Sequence, residues 1–171
     1  MSTPTTEFGF SYEYGLDIFK NGQWLPFRFP TGINPTVSPV TEDAATYDDL
    51  GAPNAIKTSE SWSADFQVQQ HRLADGSYLP EIEALLELTK PDANGNAAIG
   101  RFRWYDKPAN GTPNAEDAYE GRATVTVNRA NTGNSGIGAW SVSLTGNGRR
   151  IQIANPWQGW DAETPADPEG F

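Results

Sequence analysis

The 171-residue sequence has no cysteine, one histidine and one methionine. Without cysteine there is no disulfide framework, no thiolate zinc or iron–sulfur site and no thiol nucleophile. A single histidine, His71, cannot build a histidine metal cluster, and its place beside Arg72 at a strand end reads as a solvated side chain. Apolar runs are only a few residues long, so neither a membrane span nor a membrane anchor is expected. The first residues, Met1 to Glu7, have no basic stretch and no apolar stretch of a secretory signal, which points to synthesis and folding in a cytoplasm. Positive charge is scarce as well. Twelve Lys and Arg stand against 22 Asp and Glu, a net charge of −10, whereas a free nucleic-acid reader carries the opposite sign.

What the chain does have is aromatic bulk and turn residues. Six Trp, six Tyr and eight Phe supply core volume, and 17 Gly with 13 Pro favour short strands joined by turns. A period of two runs through much of the sequence. Residues 13–19 and 23–29 read as a hairpin about Asn21-Gly22. In Lys57 to Gln70, Trp62, Ala64, Phe66 and Val68 share one face, and Ser59, Ser61, Ser63, Asp65, Gln67 and Gln69 the other. Residues 101–105, 123–128 and 140–145 alternate in the same way, placing Trp104 and Trp140 inward. One helix is expected over Pro80 to Lys90, with Glu81 and Glu83 near its N-terminus and Pro91 stopping it.

The pattern therefore predicts a mainly β fold: an antiparallel β-sandwich or partly closed barrel with one flanking α-helix, forming a single domain over 1–156. A long, acidic, largely irregular loop is expected at about 30–56, extended only over Ile33 to Val40 and ordered by a partner. Residues 157–171 read as an acidic, Pro-rich, mobile C-terminal tail.

No catalytic constellation emerges. Asp92 to Asn96 begins like a calcium loop, but Ala97 and Arg103 stand at the sixth and twelfth positions, so a turn is the better reading. The glycines at 133, 136 and 138 lack the Lys-Ser/Thr of a phosphate cradle and suit a hairpin loop. Glu42, Asp43, Asp48 and Asp49 cluster, yet no apolar pocket is there to raise one of them into a general acid. Neither an enzyme nor a cofactor or metal site is expected.

Several segments, taken in order, resemble the major tail tube proteins of long-tailed phages, especially those of actinobacteria. They are Glu13 to Phe19 followed by Asn21-Gly22, Asn34 to Pro39 running into Thr41 to Asp43 and Tyr47 to Asp49, Lys57 to Trp62, Ala118 to Arg122, and Trp140 to Arg150. The likeness spans roughly residues 8–156. It implies a virion tail protein, made in the host bacterial cytoplasm, that forms six-membered rings stacked into a tube. In that family sheets of all subunits join around a bore through which DNA passes. A tape measure protein fills the bore beforehand, and tail tip and terminator proteins are further partners.

On that reading six copies at −10 give roughly −60 per ring, so passing DNA meets repulsion. Glu60 or Asp65 is the expected lumen-facing carboxylate. Glu42, Asp43, Asp48 and Asp49 are assigned to contacts between subunits or rings, with Arg149 and Arg150 as partners by sign. The rival from another class is a carbohydrate-binding β-sandwich on a virion surface, stacking sugars on Trp24, Trp157 or Trp160.

Overall fold

The computed structural model of the chain describes residues 3–160. Its strands are β1 (Tyr14–Lys20), β2 (Gln23–Pro26), β3 (Pro30–Asp43), β4 (Ala55–Gln69), β5 (Ile99–Asp106), β6 (Ala118–Ala130), β7 (Ala139–Gly146) and β8 (Ile151–Gln152), with helix α1 (Pro80–Glu87) between β4 and β5. All join one antiparallel sheet in the order β2-β1-β5-β6-β7-β4-β3, with β8 paired to β6. The sheet curls until β1 nears β3. Of the two forms expected, the chain takes the partly closed barrel.

Local chemistry explains each turn of the path. Asn21 and Gly22 both adopt positive φ, 50° and 79°, the geometry of a hairpin turn whose twist matches the strands it joins. The chain then crosses from one end of the sheet to the other within three residues. Phe27 N–H donates to the Leu16 carbonyl, and the Phe29 carbonyl accepts from Gln69 N–H, with Phe29 itself at φ 60°.

Alternation decides which face is buried. Leu16 and Ile18, Trp62 to Val68 at every second position, Phe102 and Trp104, Ala123 and Val125, and Trp140, Val142 and Leu144 all turn inward. Trp62 is seated by absent side chains: a Cβ on Gly121 or Gly146 would come within 2.5 Å of its indole. Its Nε1 donates to the Gly148 carbonyl. The helix closes this core with Leu79, Ile82 and Leu85. Glu81, only 2 % exposed, receives Arg28 Nε at 3.0 Å and ties the helix to the crossover.

Three expectations need correction. The stretch from Pro30 is extended over more than the expected Ile33 to Val40: β3 runs from Pro30 to Asp43 and pairs with β4 in a long hairpin, leaving only residues 44–54 as its tip. Pro35 and Pro39 lie four apart on a border strand, so the donors they lack fall on one side, and an edge strand tolerates proline where the missing N–H faces outward. The helix ends at Glu87 instead of Lys90, because the Thr89 hydroxyl takes the Leu86 carbonyl. Lastly, Trp157 is 6 % exposed and packs on Tyr105 and Ala118, carried there by β8 and by Ile153 N–H bonding to Ala118. The compact part thus reaches at least Trp160, and residues 161–171 lie outside the described residues.

Candidate assembly surfaces

Turned away from the core is a polar face. Across β3, β4, β7 and β6 the partnered rows read Asn34–Asp65–Ser143–Thr126 and Thr36–Ser63–Thr145–Thr124, with Gln67, Ser141 and Asn128 in the next row. One charge stands in these rows, Asp65, whose Oδ1 accepts the Ser143 hydroxyl at 2.7 Å. Farther along, over β5, β1 and β2, the same face becomes charged and aromatic. Arg103 lies 4.5 Å over Trp24 and pairs at 2.7 Å with buried Asp17, while Arg101 lies 4.6 Å over Phe19 and pairs with Glu120. With Arg122, this face carries three arginines against Asp17, Asp65 and Glu120. It is close to neutral. The −10 surplus that suggested an anionic face resides elsewhere, much of it on the hairpin tip.

Glu60 and Asp65 cannot line one surface, since they sit five apart on β4 and point to opposite sides of the sheet. Glu60 accepts Arg150 Nε at 2.8 Å and Lys57 Nζ at 2.9 Å. These bonds, Arg150's first, hold its carboxyl down at about 2. Arg150, expected to meet the tip carboxylates, is thus engaged within the chain and also lies 4.1 Å over Tyr119. Arg149 is exposed beside Glu60 in an open polar hollow that includes Gly146 and Gly148.

The four tip carboxylates do come together. Glu42 and Asp43 end β3, and Asp48 and Asp49 lie in a single 3-10 turn. Asp43 Oδ1 accepts the N–H groups of Ala45 and Asn54, and Asp49 Oδ2 accepts that of Thr46, closing a capping box. Tyr47 and Leu50 beside them are 100 % and 93 % exposed, and Val40 and Ile56 on the adjoining strands are exposed too. Sequence reading missed other parts. Phe8, Phe10 and Tyr12 precede β1 as exposed aromatics, and Phe10 stacks on Tyr12. His71 is not simply solvated: its ring stacks on Phe29 at 4.0 Å. Spacing in the sequence held no signal for either.

Solved structures supply the comparison. The chain is similar to one in the tail of an empty gene transfer agent (GTA) particle with C6 symmetry, at TM-score 0.63 and 12 % identity, covering 85 % of this chain and 99 % of that one. A chain of the virion of the native GTA particle gives 0.61 and 9 %, covering 85 % and 99 %. A chain of the SPP1 tail tube gives 0.59 and 16 %, covering 90 % and 83 %. The chain shares their fold. No family model matches the sequence, and no curated protein shows significant sequence similarity to it.

Among the described residues no group of three or more His, Cys, Asp or Glu is placed to hold a metal, and no helix is long and apolar enough to cross a membrane. Nor do the rival's sugar platforms present themselves. Trp24 is half-buried between Arg101 and Arg103, Trp157 is buried, and only Trp160, at 51 %, keeps substantial exposure.

Proposed function

We propose that this chain is the building block of a phage-type tail tube, with six copies per ring, rings stacked along the axis and the polar face turned to the bore. One observation carries the reading: the fold is shared over 85 % of the chain with a chain from a tail of C6 symmetry. The polar face supports it. Over the rows of Thr124, Thr126 and Asn128 and their partners a passing duplex would meet hydroxyls, amides and Asp65, and exposed Arg122 stands only at the border of those rows. Arg101 and Arg103, farther along, already have carboxylate partners. Such a surface lets DNA slide. Asp65 is the bore carboxylate of this proposal, and Glu60 belongs to the opposite side of the sheet.

Sheet borders left open in one copy suit completion by neighbours. The prolines of β3 remove donors from part of its outer border, so joining there depends on the positions between them. The tip carboxylates Glu42, Asp43, Asp48 and Asp49 belong to contacts between copies, since no ion pair within the described residues uses them. Residence in the virion tail, synthesis in a bacterial cytoplasm, and a tape measure protein with tail tip and terminator proteins as partners follow from the same reading.

Electron microscopy of the concentrated protein tests it. Six-fold rings or tubes are expected, and a monomer at every concentration would overturn the proposal. Asp65→Lys sharpens the assignment of the bore: tubes of that variant should retain short duplex DNA that unsubstituted tubes release.

A further inference from the structure

The long β3–β4 hairpin has two poles. At one, Asp48, Tyr47 and Leu50 project without tertiary partners, and half-buried Asp49 beside them bonds only its neighbour Thr46. The other pole is cationic and aromatic. Arg72 follows the end of β4 and lies 5.4 Å over Tyr78. Arg129 is partnered with Trp140, itself partnered with Val68 near the end of β4, and lies 4.7 Å over the Trp140 ring. Tyr78 meets Trp140 edge-on, so both guanidiniums converge on one aromatic pair.

Both arginines are exposed, and neither has a carboxylate partner among the described residues. Hydrogen bonding to Arg129, opposed by burial and helped by Gln70 and the charge of Arg72, pulls the Tyr78 hydroxyl below its ordinary pKa, while the Glu83 carboxylate accepts the Tyr78 N–H at 2.8 Å. Buried beside them, Trp140 Nε1 has no hydrogen-bond partner. Two unpaired poles of opposite sign thus stand at the ends of a strand of 14 residues, about 45 Å apart at the usual rise.

We propose that the acidic tip of one copy seats on the Arg72–Arg129 cluster of a second copy, Asp48 and Asp49 facing the two guanidiniums and Tyr47 and Leu50 covering the adjoining aromatics. Tip and cluster are different surfaces, so each added copy presents a fresh tip, and the contact repeats without closing. It is an axial contact. The inference rests on the tail tube reading and adds the partner of the tip, which sequence sign alone had assigned to Arg149 and Arg150.

Charge exchange tests it. Asp48→Lys with Asp49→Lys, or Arg72→Glu with Arg129→Glu, should leave rings but raise the concentration needed for tubes by about tenfold or more. Mixing the two variants, or combining all four substitutions in one chain, should restore tubes. Thermal unfolding controls for folding, and exposed Arg72→Glu alone serves if the Arg129 variant is unstable. The absence of cysteine permits a second readout: Asp49→Cys with Arg72→Cys should give a ladder of copies with a short bismaleimide, and neither single variant should. Tubes unaffected by either reversal, exchanged charges that fail to restore them, or no ladder would overturn this inference and leave the tube reading intact. A chain that stays monomeric throughout would remove both.

Discussion

The near and far halves of the β3–β4 hairpin are built from the same ladder and held by different forces. In the near half, Trp62, Ala64, Phe66 and Val68 are each less than 5 % exposed, under β7 on one side and β3 on the other. In the far half, Ala55 to Ser59 and Thr41 to Asp43 are all exposed, and hydrogen bonds, the Lys57–Glu60 pair and the tip's own caps hold it in place of a core. Hydrophobic burial thus fixes the first half, while the second stays extended with apolar side chains left in water. A monomer gains nothing from that exposure; an assembly does.

The contrast can be broken from its buried side first. Trp62→Ala should cost about 3–5 kcal/mol, read as a lower urea midpoint, because its pocket between Gly121 and Gly146 cannot collapse. Gly146→Ala adds one methyl where Trp62 stands 2.5 Å away and should cost about 1–3 kcal/mol by the same measurement.

At the joint between the halves sits Glu60, opposite Pro39. Its carboxyl is lowered from 4.5 to about 2, so as pH falls the unfolded chain takes up the proton first. The stability this pair contributes is present above 4.5 and is lost progressively as pH falls to about 2. Glu60→Gln should remove that slope from the urea midpoint measured across the same window.

Smallest of all should be the far end. Tyr47→Ser with Leu50→Asn should leave stability within about 0.5 kcal/mol while suppressing tubes in the electron microscope. Asn suits position 50, where φ is 53°. A large loss of stability from that pair would erase the distinction between the halves.

How much of this was legible in the sequence follows the same division. Trp62, Trp104 and Trp140 were readable as core because a half-buried strand alternates, and the bland hydroxyl face came with them. The end of β3 beyond Val40 was not readable, since a ladder without a buried face leaves no apolar period. Trp157 looked like part of a tail because its burial depends on β8 running along β6, and β8 is only two residues long.

Length, charge and a period of two were enough to set the class of fold and which side chains turn inward, because those depend on neighbours a few residues apart. Pairings such as Glu60 with Arg150, 90 residues away, or Asp17 with Arg103, 86 away, were settled by the order of strands in the sheet. The placing of Glu60 and Asp65 on opposite sides followed from their spacing on β4, and the order of strands decided only that the face of Asp65 is balanced in charge. Sign in a sequence says what a residue attracts, and only the folded sheet decides which opposite charge comes within reach.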